Sequence, residues 1–290
     1  MARYAKLTIV CGRRATGKTN KTLSQLYTAV RNGRKALIFD AKDEFGNYIY
    51  RPDQPPHSIK AIYLKDVPRF TAQTLPEIVR IRPFLDNGQR MTTEDLQLSL
   101  GYVLKNYRGG VLLAEDINVY IADNTPNDLM GSLATLRQAG VDLIAHYQMI
   151  GKAGNPKMIG MANYIRLHKT NDTVERHADK FQDYVDILSI AEKIVERRYM
   201  YGMNHGITDA TGQYFNCLVD LEYHKIRGIF TLEEAKFAVA EYISDSDRTT
   251  IKRLMNRKTP TGANQYTNYE AAYKHLEGKM MNDYFDFKDQ

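Results

Sequence analysis

The stretch Gly12-Arg13-Arg14-Ala15-Thr16-Gly17-Lys18-Thr19 decides the fold of this chain. It fits the pattern GxxxxGK[ST] in full, and it stands between the apolar run 7–11 and a helical stretch that begins at Gly17. Glycines let the backbone wrap a phosphate, and successive amides at a helix N-terminus supply positive potential. Lys18 is predicted to reach the outer phosphates of ATP and Thr19 to hold Mg²⁺. The nucleotide contacts are therefore predicted at Gly12, Arg13, Arg14, Ala15, Thr16, Gly17, Lys18, Thr19 and Asn20.

Two acids follow another apolar strand. The run 111–114 leads into Glu115 and Asp116. A phosphate-binding loop of this kind (P-loop) needs an acid at the end of another strand to orient Mg²⁺ and the attacking water. The usual order is Asp then Glu, and here it is reversed. By position, Glu115 is predicted to assist Thr19 at the metal and Asp116 to polarise the water; a strand that ends in a solvated acidic turn is the alternative.

Short β-branched runs alternate with amphipathic helical stretches through the first two thirds of the chain. Strands are predicted at 7–11, 36–40, 59–64, 111–115, 142–147 and 164–168, and helices are predicted to start at Gly17, Thr93, Pro126, Pro156 and near Asp172. This alternation is typical of an α/β fold with a mainly parallel sheet flanked by helices. Thr92 is also predicted to cap the helix that begins at Thr93.

The length of 290 residues allows about two domains at roughly 150 residues each. Composition shifts after residue 200, where a glycine- and asparagine-containing loop precedes a strand pair at 213–221 and 225–230 and a helix at 232–243. We therefore predict a P-loop domain over residues 1–200. A small α+β domain is predicted over residues 201–290.

The overall composition is that of a soluble globular protein. A hydrophobic fraction of 43% argues against wholesale disorder, as does a mean hydropathy of -0.48. No apolar run approaches the roughly 18 residues of a membrane span, and the N-terminus lacks the apolar stretch of a signal peptide, so we expect a cytoplasmic protein. Cys11 and Cys217 lack the spacing of a zinc site or disulfide framework. A net charge of +6 permits a polyanionic partner without requiring one.

Around these motifs the chain resembles the HerA/FtsK branch of P-loop ATPases, which pump DNA and include viral genome-packaging motors. Residues 36–45 resemble the second strand and turn of that family, usually an apolar run, Asp-Pro-x-Gly-Glu and an aromatic residue, although the proline and glycine are missing here. Residues 136–148 resemble its arginine-bearing helix end, glycine turn and strand closing on a glutamine. Residues 164–170 resemble its last core strand, so the resemblance covers roughly residues 5–175.

The resemblance implies a RecA-like core of the additional-strand type and an ATPase that moves double-stranded DNA through a homo-oligomeric ring. Cellular relatives usually carry membrane segments or large added domains, and this chain has neither. It therefore looks most like a viral (phage) genome-packaging motor subunit. That implies a portal or procapsid component as a further partner and the host cell cytoplasm as its location.

Two further residues receive catalytic roles from the resemblance. Gln148, at the end of a strand beside the P-loop strand, can hydrogen-bond the γ-phosphate or the attacking water. Arg137 lies near a helix end, where ring-shaped relatives carry an arginine that reaches the neighbour's γ-phosphate. The alternatives are a polar strand terminus for Gln148 and a solvent-exposed arginine that complements the helix dipole for Arg137.

A basic segment near the C-terminus is the candidate DNA contact. It carries Arg248, Lys252, Arg253, Arg257 and Lys258, and tyrosines at 266, 269 and 273 follow it. Rows of lysine and arginine can track a phosphate backbone, and tyrosine can stack on bases. A solvated helix face has the same pattern.

Two other functions remain open from the sequence. One is a phage assembly ATPase resembling the zonular-occludens-toxin family, which usually has the membrane span that this chain lacks. The other is a protein that binds ATP as a switch without hydrolysing it, which the reversed order of Glu115 and Asp116 would allow.

Overall fold

A sheet of nine strands forms the centre of the described part of the chain. The structure is a computed structural model that describes residues 5–47, 58–121, 131–133, 135–136, 138–153, 156–245, 249–266 and 268–287. The strands are β1 (Leu7–Cys11), β2 (Lys35–Phe39), β3 (Ala61–Ile62), β4 (Ile78–Ile81), β5 (Gly110–Ala114), β6 (Asp142–Tyr147), β7 (Tyr164–Leu167), β8 (Cys217–Asp220) and β9 (Lys225–Arg227).

The strands lie in the order β3-β4-β2-β5-β6-β1-β7-β8-β9. All neighbours from β3 to β7 pair in parallel, whereas β8 and β9 join antiparallel. β6 lies between β1, which leads into the P-loop, and β5, which leads into the acid pair. This is the additional strand that the resemblance implied, and the predicted P-loop NTPase fold class is confirmed.

Besides the helical residues 131–133 and 135, ten helices flank the sheet in the part of the chain that the structure describes. They are α1 (Lys18–Arg31), α2 (Val67–Ala72), α3 (Thr93–Asn106), α4 (Ile150–Ala153), α5 (Pro156–Met161), α6 (Ala178–Phe181), α7 (Val185–His205), α8 (Leu232–Asp245), α9 (Thr249–Met255) and α10 (Tyr269–Tyr284). The predicted helix start at Pro126 lies outside the described residues, and residues 131–133 and 135, which follow it, are helical. None of the helices described is long and apolar enough to cross a membrane.

Each face of the sheet has its own hydrophobic core. Leu23 and Leu26 of α1 pack with Val10 of β1 on one face. Ile9 of β1 belongs to the larger cluster on the other face, which includes residues of α3, α7, α8 and α10. Because side chains alternate along a strand, β1 is anchored from both sides. This anchoring holds the P-loop between β1 and α1.

The cap predicted for α3 is present. Thr92 Oγ1 accepts a hydrogen bond from the backbone N–H of Asp95 at 3.2 Å, and the Asp95 carboxylate accepts one from the backbone N–H of Thr92 at 2.9 Å. Such a reciprocal pair satisfies two amides that the helix leaves without partners.

Four strands differ from the sequence predictions by more than one residue at an end; the pair after residue 200 is shortened to Cys217–Asp220 and Lys225–Arg227. β4 was not predicted, because Arg80 interrupts its apolar run; Arg80 is nevertheless buried, and its Nη1 donates to Oδ2 of Asp40 at 2.8 Å. The strand predicted over 59–64 is shortened to Ala61–Ile62 at the edge of the sheet. In β4, the ion pair between Arg80 and Asp40 takes the place of the apolar contacts on which a strand prediction rests.

The helix predicted near Asp172 begins later. The carboxylate of Asp172 accepts hydrogen bonds from the backbone N–H groups of Ile150 and Gly151 at 3.0 and 2.8 Å. It therefore binds the first turn of α4 instead of capping a helix of its own. The long helix α7 starts at Val185 and ends at His205, before Gly206 in the left-handed conformation.

The segment after residue 200 has the α+β content predicted for it. Its two strands extend the same sheet through β7, and α8 packs on α7 while α10 packs on α8. The division into two domains at residue 200 stays a prediction.

A buried acid on α7 should make the stability of the protein depend on pH. Glu192 accepts a hydrogen bond from the backbone N–H of Val174 at 3.2 Å, and burial raises the pKa of Glu192 from 4.5 to about 7. An acid whose pKa is raised by folding favours the folded state when protonated, so this stability is lost as pH rises from 4.5 through 7. Glu192→Gln should therefore raise the free energy of unfolding at pH 8 by on the order of 1–3 kcal/mol and change it little at pH 4.

Denaturant unfolding at both pH values measures this difference. Glu233→Gln is the control, because Glu233 is exposed in the first turn of α8. An equal effect of Glu192→Gln at pH 4 and pH 8 would contradict the expected linkage.

Candidate functional site

A cleft opens at the carboxyl ends of β1, β5 and β6. In a parallel sheet these ends meet at one edge, where ligands commonly bind. The cleft has a volume of about 490 Å³. Its lining residues are Arg14, Ala15, Thr16, Gly17, Lys18, Thr19, Asn20, Glu44, Glu115, Asp116, Gln148 and Tyr214. The structure thus brings together the P-loop, both predicted acids and the predicted glutamine.

The P-loop is a tight backbone turn. Ala15 and Gly17 have φ of 59° and 79°, in the left-handed region that favours glycine. A Cβ on Gly12 would lie 2.6 Å from Cβ of His168, so only glycine fits beside that side chain. Alternating backbone conformations of this kind point successive amides into one concavity, as an anion requires.

Lys18 lies at the base of the cleft. Its ammonium donates to the carbonyl oxygens of Gly12 and Arg13, at 2.5 and 2.8 Å. Burial lowers the pKa of Lys18, and the nearby charge of Glu115 opposes part of that shift. The ammonium is therefore held within the loop by two of the loop's own carbonyl oxygens.

The two loop arginines point in different directions. Arg14 is exposed and lines the cleft. Arg13 is not among the lining residues: its guanidinium lies over the ring of Tyr199, 4.7 Å from the centroid, and Nη2 donates to the Tyr199 hydroxyl. Its backbone N–H donates to the carbonyl of Lys169 at 2.8 Å. Arg13 therefore ties the P-loop to α7 and to the segment after β7.

Glu115 is buried beside a histidine. Its Oε2 lies 2.7 Å from Nδ1 of His146. His146 Nε2 is 2.7 Å from the hydroxyl of Thr22 on α1. Burial raises the pKa of Glu115, but His146, Lys18 and Lys42 outweigh burial, so the net shift is downward. Glu115 is thus a carboxylate poised within the cleft.

Asp116 has two strong partners. Its carboxylate forms an ion pair with Nζ of Lys42 and accepts hydrogen bonds from Nε2 of Gln148 at 3.1 and 2.9 Å. Asp116 itself has φ of 46°, an uncommon conformation for a non-glycine residue that aims its side chain toward β6. The two predicted catalytic groups Asp116 and Gln148 are therefore in direct contact.

Four residues of this site were not assigned roles from the sequence. They are Lys42, Glu44, His146 and Tyr214. The first three lie in the stretches at 36–45 and 136–148, whose resemblance could have drawn attention to them. Tyr214 comes from beyond residue 200, and no sequence signal connects it to the P-loop: a Cβ on Gly17 would lie 2.6 Å from Cβ of Tyr214.

The cleft residues fit a magnesium ion. Glu115 presents a buried carboxylate to the cleft, and its Oε2 lies 2.7 Å from Nδ1 of His146. Thr19 lines the same cleft and offers a hydroxyl oxygen. Mg²⁺ prefers such oxygen ligands and takes the rest from water and substrate phosphates. Thr19 and Glu115 are thus suited to the metal role predicted for them.

The basic segment is only partly described. Arg248 and Arg137 lie outside the described residues. The side chains of Lys252, Arg253, Arg257 and Lys258 are exposed, and none of the four has a carboxylate within 4 Å in the part of the chain described. These cations are therefore available to an external anion.

Comparisons with known proteins find solved structures at low sequence identity. No protein-family model and no curated protein matches the chain. The genome packaging NTPase B204 from Sulfolobus turreted icosahedral virus 2, in complex with AMP, is 16% identical and matches 78% of this chain and 98% of its own, with a TM-score of 0.49. The N-terminal domain of zonular occludens toxin from Neisseria meningitidis is 14% identical and matches 58% of this chain and 79% of its own, with a TM-score of 0.31. The sequence analysis named both kinds of protein, viral genome-packaging ATPases and the zonular-occludens-toxin family, as ones that this chain resembles.

Proposed function

We propose that this protein is an ATPase that moves double-stranded DNA, acting as a subunit of a viral (phage) genome-packaging motor in a homo-oligomeric ring. The observation that carries the proposal is the meeting of Lys18, Glu115, Asp116 and Gln148 in one cleft at the carboxyl ends of parallel strands. The resemblance of residues 5–175 to the HerA/FtsK branch supports the choice of motor. Its partners would be DNA and a portal or procapsid component, in the cytoplasm of the host cell.

Each cleft residue has a separate task in this proposal. The backbone amides of the P-loop and Lys18 bind the phosphates of ATP. Thr19 and Glu115 would hold Mg²⁺, which when bound neutralises charge on the phosphates. Asp116 polarises the attacking water, and Gln148 positions Asp116 through the two contacts described above.

The decisive experiment is the rate of ATP hydrolysis with and without double-stranded DNA. We expect hydrolysis that DNA stimulates. A rate of ATP hydrolysis that is the same with and without DNA would support an ATPase and contradict the DNA-moving motor. Bound ATP without turnover would favour the non-hydrolysing switch, a function that the engagement of Asp116 by Lys42 and Gln148 also permits.

The basic segment should contribute phosphate contacts to DNA. Each cation that neutralises a phosphate releases condensed counterion, so the slope of log K against log salt should fall by about 0.9 for each such cation removed, when the ligand is duplex DNA. Replacing Lys252, Arg253 and Arg257 with glutamine should therefore flatten the slope by roughly two to three units. Fluorescence anisotropy at several salt concentrations measures it.

A control with the same loss of charge separates local contact from general electrostatics. Lys105, Arg176 and Lys236 are exposed on other elements, and their replacement with glutamine should leave the slope nearly unchanged. Equal slopes for the wild type and the basic-segment variant would assign these charges to a solvated surface.

Mixing two variant proteins should test whether neighbouring subunits of a ring complete each other's active sites. An Arg137→Ala protein keeps an intact P-loop, and a Lys18→Ala protein keeps Arg137, so each supplies what its neighbour lacks if Arg137 acts across an interface. We expect the mixture to hydrolyse ATP faster than either variant alone. No recovery at any mixing ratio, with normal assembly, would return Arg137 to a structural role.

A further inference from the structure

A second cavity lies on the face of the sheet that α1 covers. It has a volume of about 620 Å³ and is lined by one side of α1 and by residues of β1, β5, β6, β7 and β8. None of its lining residues lines the nucleotide cleft. We call this cavity the α1 groove and define it by Lys6, Thr8, Lys21, Gln25, Arg34 and Arg166.

The α1 groove has an excess of positive charge. Its four cations are Lys6, Lys21, Arg34 and Arg166, and its acid is Asp142, whose Oδ2 pairs with Nη1 of Arg34 at 2.7 Å. Lys6 Nζ is 4.0 Å from a carboxylate oxygen of Glu222. Within the described residues, Lys21 and Arg166 have no carboxylate within 4 Å. Two of the four cations therefore have no counter-charge from this part of the chain.

Arg166 is the unusual member of the set. It is 3% exposed, its Nη1 donates to Oε1 of Gln25 at 2.9 Å, and its Nε is buried without a hydrogen-bond partner. Burial lowers the pKa of Arg166 to about 10. A buried guanidinium without an anion is unfavourable because its lost hydration is not replaced. The position therefore favours a ligand that supplies both negative charge and hydrogen-bond acceptors.

The neighbours of Arg166 narrow the chemistry of that ligand. Lys21 is one turn before Gln25 on α1, and it lines the same cavity as Arg166. Burial, and then the charge of Arg166, lower the pKa of Lys21. Thr8 adds a hydroxyl donor to the wall. A forked guanidinium, an ammonium and a hydroxyl around one space match the tetrahedral oxygens of phosphate.

We propose that the α1 groove binds a phosphate group, held by Arg166 and Lys21, at a site separate from the nucleotide cleft. Free phosphate and the backbone of DNA present the same chemistry, and the experiment below distinguishes them. The proposal does not depend on ATP hydrolysis, since none of its residues lines the P-loop cleft.

The test measures thermal unfolding of a Lys18→Ala protein against inorganic phosphate at constant ionic strength, because the P-loop also binds phosphate. We expect Tm to rise by about 3 °C at ten times the dissociation constant. Adding Arg166→Gln should abolish that rise without lowering Tm in the absence of phosphate. Adding Arg176→Gln, an exposed arginine outside the groove, should preserve it. An equal rise in all three proteins, or no rise specific to phosphate, would overturn the proposal.

A second variant tests the same site without depending on whether the Arg166→Gln protein folds. Lys21 is exposed at its helix surface, so Lys21→Gln should fold normally and raise the phosphate concentration at half-maximal Tm shift by about fivefold or more. An unchanged half-maximal concentration would also overturn the proposal. Duplex DNA binding then identifies the source: if the ligand is the DNA backbone, Lys21→Gln lowers the salt slope by about 0.9. If the ligand is free phosphate, the salt slope stays unchanged and only the phosphate concentration at half-maximal Tm shift rises.

Discussion

Replacing Lys18 with alanine should lower the rate of ATP hydrolysis by about 10²–10³-fold, the usual effect of removing one donor that stabilises charge at a reaction centre. The Lys18 ammonium donates to the carbonyl oxygens of Gly12 and Arg13. In the proposed function it also makes a charge-assisted contact to the outer phosphates, which alanine cannot make. The fold should persist, because α1 is anchored by Leu23 and Leu26 in the core.

Steady-state turnover measures the loss of ATP hydrolysis, and circular dichroism measures whether the fold persists. Lys152→Ala is a matched control, because Lys152 is exposed on α4 and does not line the cleft. Turnover equal to that of the wild type in the Lys18→Ala protein would remove the P-loop from the proposed reaction.

The second large effect is expected from Asp116→Asn, and it should differ in kind from the effect of Glu115→Gln. Asp116→Asn keeps the shape of the side chain but not its basicity, so we expect hydrolysis to fall by about 10²–10⁴-fold while ATP stays bound. Gln148 and Lys42 fix the Asp116 side chain, and a carboxamide there still reaches Gln148. Glu115→Gln should instead weaken the response to Mg²⁺, because it removes the negative charge of the carboxylate proposed to hold the metal.

Nucleotide affinity and turnover at several Mg²⁺ concentrations distinguish the two variants. Glu94→Gln is a control outside the cleft, on the exposed first turn of α3. If the two phenotypes are exchanged, the metal and water roles of the acids must be exchanged too, and the pair remains at the site.

The parts of the fold that local sequence determines were predicted well. β6 matches its predicted bounds, and α3 begins at the predicted Thr93, because an apolar strand and a capped helix carry their signals in neighbouring residues. β4 was missed because Arg80 is stabilised by Asp40, a residue 40 positions away. A distant partner of this kind leaves no periodic pattern in the sequence.

The candidate site also has a part that the sequence predicts and a part that it does not. Gly17, Lys18 and Thr19 belong to one short motif, so their common position follows from their spacing. The contact of Lys42 with Asp116 joins two separate loops, and Tyr214 reaches Gly17 from beyond α7. Sequence spacing does not determine those distances; the order of the strands does.

The position of β1 has a consequence for synthesis on the ribosome. The partners of β1 come late, since Leu7 pairs with Leu143 and Thr8 with Tyr164. At roughly 5–20 residues per second, translation needs on the order of 10–30 seconds to deliver both partner strands. During that interval the apolar segment Leu7–Cys11 has two open edges, which favour aggregation of a nascent chain. Protection of this first strand during that interval would then depend on chaperones or on rapid completion of the sheet.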